Sequence, residues 1–391
     1  MSDCALLVIG GGPAGHSAAV AYRAAGGDGP VVLLAGEGRD PYERPPLSKD
    51  LLRGETEPAA LPLADGPAFY DERAITVRHD RALALRPAAR EAGLEGGETI
   101  TYTTCVLATG AEPVRPPVPG AELDGVHVLR TVTDALALRA AATPGARVLV
   151  VGSGFIGCEA AASLAARGCA VTLVSQERAP QDARLGPAVA ERLAAWLAAD
   201  GVDARYGAAL ERIERGDGRL RAHVAGVAID ADLVLLAGGV APQSGLAHAA
   251  GVALAGGGEI AADARLRTSV PGVLACGDAC RAEHAVAGRP LHVEHWGDAL
   301  AQGEAAGTTA AGGDGRWTAV PGFWSTIGTR TLKHAAWGDG FASVRVVDHG
   351  DGAFTAWYGD AEGRCAGVLT HDRDADYDAG QRLIAQGAPC P

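Results

Sequence analysis

Two stretches of this chain share one glycine spacing. VIGGGPAG sets Gly10, Gly12 and Gly15, and VVGSGFIG sets Gly152, Gly154 and Gly157, each as G-x-G-x-x-G. Each follows an apolar run and opens an Ala-rich one, so each reads as strand, turn and helix. In that setting the first glycine makes a tight turn, and the second lets backbone amides approach a pyrophosphate. The third lets the helix pack on the strand, and the helix N-terminus adds positive potential. Glu37 stands just past a second apolar run, VVLL, and 22 residues beyond Gly15. A carboxylate there accepts hydrogen bonds from ribose hydroxyls. Two such units imply two dinucleotides. The economical pairing is a resident FAD and a visiting NADH or NADPH, because a hydride then passes between two rings.

The second unit ends its second strand differently. VTLVSQERAP puts Ser175 where an NAD site has an acid. With Arg178 nearby this leaves room for the 2′-phosphate of NADPH, while Glu177 competes for the role of the missing acid. Elsewhere, LATGAEP carries Thr109 and Gly110, and LACGD closes an apolar run on Gly277 and Asp278, an acid suited to a ribitol hydroxyl. A charged loop, PYERPPLSKD (Pro41 to Asp50), holds Arg44, Ser48 and Lys49. Its adjacent prolines forbid an ordinary helix or a central strand. The chain has 34 Lys plus Arg, yet only Lys49 and Lys333 are lysines. A lysine retained against such a bias is a candidate for chemistry rather than for charge alone. No H-E-x-x-H spacing occurs, and HVEH is too tight for it, so no metal enzyme is indicated.

The elements that must position these residues follow from the rest of the pattern. With 391 residues, two or three domains are expected. Hydrophobic residues at 48% and charged residues at 21% describe a globular chain. A net charge of -13 argues against nonspecific nucleic-acid or anionic-membrane binding. No apolar run reaches membrane-spanning length, no signal peptide is evident, and eight scattered cysteines without C-x-x-C point to a reducing cytoplasm. PVRPPVPGAELDG reads as a linker. AVAERLAAWLAADG reads as an amphipathic helix with Leu193, Trp196 and Leu197 on one face. From about Val320, alternating FASVRVVDHG, AFTAWYGD and RCAGVLT predict a β-rich end domain closed by a helix near QRLIAQ. The fold class is therefore α/β, with two Rossmann-like dinucleotide-binding domains and a small α+β C-terminal domain.

The order of these motifs resembles the two-dinucleotide flavoprotein reductases, over nearly the whole chain. The resemblance implies a glutathione-reductase-like arrangement. An FAD domain is split between 1–112 and 247–319, an NAD(P)H domain occupies 113–246, and a C-terminal domain occupies 320–391. The disulfide-reducing branches carry redox cysteines near PYERPPLSKDLL or as C-x-x-C in the nicotinamide domain. Neither is present, and Cys276-x3-Cys280 falls in the GD segment. P-Y-x-R-P-P-L-S-K instead resembles the ferredoxin and rubredoxin reductase branch, a relative of apoptosis-inducing factor. FIGCEAA with Glu159, VEHWGDALAQGEAA with Glu294, Trp296 and Gln302, and VPGFWSTIG with Trp324 agree with it.

That resemblance implies that Arg44 meets the FAD pyrophosphate or ribityl chain, and that Lys49 stands near flavin N5, paired with Glu159. It implies that Trp296 lines the ring and that Trp324 lies where electrons leave. It carries further cofactor contacts onto Pro13, Ala14, Ser48, Ala82, Ile156 and Gly238. The partner implied is a [2Fe-2S] ferredoxin or a rubredoxin serving a P450 or an oxygenase, with the reductase a monomer or a homodimer. A small-molecule acceptor such as a quinone, or a redox-sensing role, are the alternatives. The branch reads W-S-D-Q where this chain has Trp324, Ser325, Thr326 and Ile327. The missing Asp and Gln predict altered polar contacts beside the flavin.

Overall fold

The computed structural model describes residues 2–66, 68–216 and 218–391. Strand Ser2–Ile9 pairs in parallel with Val31–Leu34 on one side and Thr99–Leu107 on the other. Leu6, Leu7 and Val8 have no exposed surface. A strand covered on both faces needs a continuous apolar run rather than an alternating one, which ALLVI supplies. Ile75–Arg78 extends the parallel sheet past Val31–Leu34, and Val273–Ala275 joins it beside Thr99–Leu107. The hairpin Ala82–Arg86 and Glu91–Leu94 continues it antiparallel.

Helix Pro13–Ala24 connects the first two strands, with proline in its first turn, where the missing N–H has no helical partner to lose. Helix Trp296–Ala310 lies against it. Two glycines permit the approach. A Cβ on Gly303 would come 2.2 Å from the Ala14 carbonyl oxygen, and one on Gly307 would come 2.1 Å from that of Ala18. These elements belong to one compact unit, made of residues 1–43, 61–112 and 242–323.

A second compact unit comprises residues 44–60, 113–241 and 324–391. Its parallel sheet runs Asp203–Tyr206, Ala170–Ser175, Arg147–Val151, Leu233–Leu236, Val126–His127. Helix Phe155–Ala166 is buried from Gly157 to Leu164. Helix Pro187–Ala199 buries Val189, Ala190, Leu193 and Leu197, while Trp196 stays half-buried beneath the Arg330 guanidinium. The alternating C-terminal segments form an antiparallel sheet, with Ser343–Gly350, Ala353–Gly359, Cys365–His371 and Arg330–Ala336 as successive neighbours. Helix Asp374–Gln386 packs on it through Gly380, where an added Cβ would come 2.3 Å from Val368.

The charged loop is more ordered than its prolines suggest. Pro45–Ser48 is one 3-10 turn, followed by one α-helical turn, Asp50–Arg53. Both prolines sit at the start of the turn, where no N–H donor is required. Among the described residues, no helix is long and apolar enough to cross a membrane.

One buried titratable group sits directly behind the first glycine turn. His16 Nδ1 lies 2.8 Å from the Tyr70 hydroxyl, and burial, helped by Arg73, pushes the imidazole from its ordinary value of 6.5 down to about 4. The unfolded chain then binds more protons than the folded one between about pH 4 and 6.5, so stability is lost as pH falls through that window. His16→Asn should flatten the loss by up to about 1 kcal/mol per pH unit. Urea titrations at three pH values across the window measure this, and an unchanged slope counts against it.

Candidate functional site

The first glycine turn is assembled by close backbone contact. Gly10 has φ +126°, and a Cβ there would come 2.0 Å from the Ala108 carbonyl oxygen. A Cβ on Gly15 would come 1.9 Å from the Gly10 oxygen. Those two glycines are required by the fold itself. Gly12 is different, because a Cβ there would meet no protein atom within 4 Å. The helix it caps has no side-chain cap on its first N–H groups. An open face over uncapped helix amides fits an anion such as a pyrophosphate.

Three motifs distant in sequence meet at this turn. Ala108 precedes Thr109 and Gly110, whose loop is tied to residue 243: Thr109 Oγ1 donates to the Gln243 carbonyl at 2.6 Å, and Gln243 N donates to that of Gly110 at 2.8 Å. Gly277, at φ +74°, lies against Ala14. Its N–H donates to Gln302 Oε1 at 2.9 Å, while Gln302 Nε2 is buried without a protein partner among the described residues. An orphaned buried donor is costly unless a ligand accepts from it. Asp278 is half-buried in the turn Gly277–Ala279, and its carbonyl accepts from His292 Nε2 at 2.9 Å. Glu37 lies in the turn just past strand Val31–Leu34, and the Tyr42 hydroxyl donates to its Oε2 at 2.5 Å. Trp296 is half-buried in the first turn of its helix, and Glu294 is exposed just before it. Ala82 opens the strand Ala82–Arg86 opposite Leu94, in the hairpin that extends the sheet.

The second turn repeats the first. Gly152 has φ +110° and lies against the Ala237 carbonyl, next to Gly238; Gly157 lies against the Gly152 oxygen; Gly154 faces open space. Helix Phe155–Ala166 also lacks a side-chain cap, and Ile156 is half-buried in its first turn. At the strand end the structure separates the candidates. Ser175 is buried, with Oγ 2.7 Å from Ser153 Oγ and accepting from Glu177 N at 3.2 Å. The Glu177 carboxylate lies against the glycine turn, with Oε2 3.2 Å from Ser153 Oγ and accepting from Gln181 N at 2.9 Å. Arg178 turns outward and pairs with Asp182 at 2.7 Å.

The charged loop joins the same unit through one face of helix Phe155–Ala166. Ser163 Oγ donates to the Ser48 carbonyl at 2.8 Å, and Arg167, one turn further, donates to that of Arg53 at 3.2 Å. One turn earlier, Glu159 takes the loop's side chains. Its Oε2 accepts from Ser48 Oγ at 2.5 Å and from Lys49 Nζ at 2.9 Å. The side chains of Lys49 and Glu159 are only 11% and 6% exposed. Arg44 donates to the Arg130 carbonyl at 2.9 Å. On the other side, Ser325 Oγ and Thr326 N donate to Glu159 Oε1 at 2.8 and 3.2 Å. The Thr326 hydroxyl bonds Thr331 at 2.9 Å, Ile327 is fully buried, and Trp324 is 42% exposed.

The model of the pyridine nucleotide-disulphide oxidoreductases matches residues 5–303. The chain belongs to that family. It is an oxidoreductase whose cofactor is FAD and whose hydride donor is a reduced nicotinamide dinucleotide. A probable ferredoxin reductase of Castellaniella defragrans is 34% identical, over 97% of this chain and 93% of the relative. The ferredoxin–NAD(+) reductase component of the anthranilate 1,2-dioxygenase system of Burkholderia cepacia is 32% identical, over 99% and 96%. The crystal structure of the ferredoxin reductase for the CYP199A2 system of Rhodopseudomonas palustris superposes with a TM-score of 0.93 at 30% identity, covering 99% of this chain and 95% of that one.

Unlike the disulfide chemistry in the family's name, this member has only free thiols. Seven of its eight cysteines are buried, and burial pushes Cys276 up to about 12 and Cys280 well above its ordinary value. Thiols held protonated in this way are poor nucleophiles.

Ser163 carried no motif of its own; Gln302 and Ser325 stood in stretches matched to the reductase branch, but the orphaned Gln302 amide and the Ser325–Glu159 bond emerge only from the contacts. Glu177 was visible in the sequence but could not be ranked against Ser175 without knowing which side chain turns inward. The two kinds of glycine should separate experimentally. Gly12→Ala should leave the stability of the flavin-free protein within about 0.5 kcal/mol and weaken FAD binding. Gly15→Ala should lose both. Denaturant curves on flavin-free protein and FAD titration test this, and equal destabilisation by the two would remove the distinction.

Proposed function

We propose that this chain carries electrons from NADH, through FAD, to a ferredoxin- or rubredoxin-type protein that serves an oxygenase or a P450. The observation that carries the reading is the buried Lys49–Glu159 pair in a family member whose thiols are all free. Electrons have no protein disulfide to enter and leave from the cofactor itself. The names of the relatives support a ferredoxin as acceptor.

When bound, FAD would supply the conversion between a two-electron hydride donor and a one-electron acceptor. The protein's residues bind, orient and neutralise. The amides around Gly12 and the first helical turn would hold the pyrophosphate, Glu37 a ribose and Asp278 the ribityl chain. Gln302 Nε2 supplies a further donor. Lys49 would supply a positive charge to balance the negative charge that a flavin takes up on reduction. A buried ammonium needs a counter-charge, and Glu159 provides it. The amides around Gly154 receive the pyrophosphate of the visiting dinucleotide. Glu177, rather than Ser175, accepts from its ribose hydroxyls. A carboxylate there repels a 2′-phosphate, and Arg178 is engaged with Asp182, which favours NADH.

Lys49→Ala should retain FAD but slow flavin reduction by about 100-fold, measured by anaerobic rapid mixing with NADH. An unchanged rate would reduce the pair to a structural bridge. The kcat/KM for NADH should exceed that for NADPH at least about tenfold, and Glu177→Gln should narrow the ratio. A preference for NADPH would reassign the ribose site. Cytochrome c reduction that gains nothing from added ferredoxin would point to a small-molecule acceptor instead.

A further inference from the structure

We infer that Ser325 is a positioning residue for hydride transfer, acting through Glu159. This rests on the role proposed for the Lys49–Glu159 pair. An ionised carboxylate offers about four acceptor sites. In Glu159 all four are taken: Ser48 Oγ and Lys49 Nζ on Oε2, Ser325 Oγ and Thr326 N on Oε1. All of the side chains involved are buried, and Ser325 has no exposed surface. The two donors on Oε2 come from the PYERPPLSKD loop, and the two on Oε1 come from strand Gly322–Ile327. The carboxylate is held from opposite sides by segments that are far apart in sequence.

Of the two bonds on Oε1, the amide bond is the longer, at 3.2 Å against 2.8 Å for the hydroxyl. Ser325 is therefore the main restraint on that oxygen. Glu159 stands two residues beyond Gly157, in the first turns of the helix whose N-terminus receives the nicotinamide dinucleotide. Any turn of Glu159 that admits the donor must break the Ser325 bond. Any loosening of Glu159 leaves the Lys49 ammonium without a fixed counter-charge. Ser325 thus opposes donor binding and favours the chemical step. A residue that served packing alone would not move the two quantities in opposite directions.

The test is anaerobic single turnover of the full-length flavin-loaded protein over a range of NADH concentrations. Ser325→Ala should lower both the limiting rate of flavin reduction and the half-saturating NADH concentration, each by about tenfold, the size expected for one hydrogen bond to a charged group. Ser325→Thr, which keeps the hydroxyl, should restore both. In a Glu159→Ala background the Ser325 change should have no further effect, as for residues acting through one another. If the alanine variant loses its flavin, Ser325→Cys, similar in shape but a weak donor, carries the same test. Unchanged kinetics in Ser325→Ala, or an effect that persists in the Glu159→Ala background, would overturn the inference while leaving the Lys49–Glu159 role intact. Normal kinetics in Glu159→Ala alone would overturn both.

Discussion

One buried carboxylate organises the second compact unit. Glu159 accepts from a lysine, two serines and a backbone amide, drawn from the PYERPPLSKD loop and from the first strand of the C-terminal sheet. Burying a charge is costly unless it is paired and hydrogen-bonded, and removing one partner of such a pair typically costs about 3–5 kcal/mol. The saturation of Glu159 therefore makes these segments interdependent. Helix Phe155–Ala166 amplifies this, because Glu159, Ser163 and Arg167 follow one another at single-turn spacing. They hold, in order, the loop's side chains, its backbone and the end of its short helix.

The two glycine turns show one solution used twice. In each, the outer glycines are forced by backbone approaches near 2 Å, and the middle glycine faces open space. The outer positions answer to the fold, and the middle one leaves the face over the helix amides open. The second turn adds Glu177, which reaches back to the turn through Ser153, while the neighbouring Arg178 points away. Of these two adjacent charged side chains, only Glu177 turns inward toward the turn.

The thiols describe the chemistry by their environment. Cysteines buried among apolar neighbours are held protonated and behave as small hydrophobic side chains. A family named for disulfide chemistry here retains its two dinucleotide turns without a protein disulfide. The charged loop places Lys49 where the disulfide branches are expected to carry cysteine.

The sequence by itself determined the parallel sheets, the two turns, the β-rich C-terminal segments and the prominence of Lys49. Those features are local: continuous apolar runs demand buried strands, glycine spacing demands a turn, and a rare lysine stands out against an Arg-rich background. The meeting of Ala108, Gly277 and Gln302 around the first turn was legible only as a list of motifs in order. Their contacts depend on two helices approaching through Gly303 and Gly307. The burial of Ser175, the inward turn of Glu177 and the place of Ser325 beside Glu159 were decided by the tertiary structure alone. A single serine or glutamate carries no signal in its own neighbourhood. Its role is set by which buried donors and acceptors a distant segment brings within hydrogen-bonding distance.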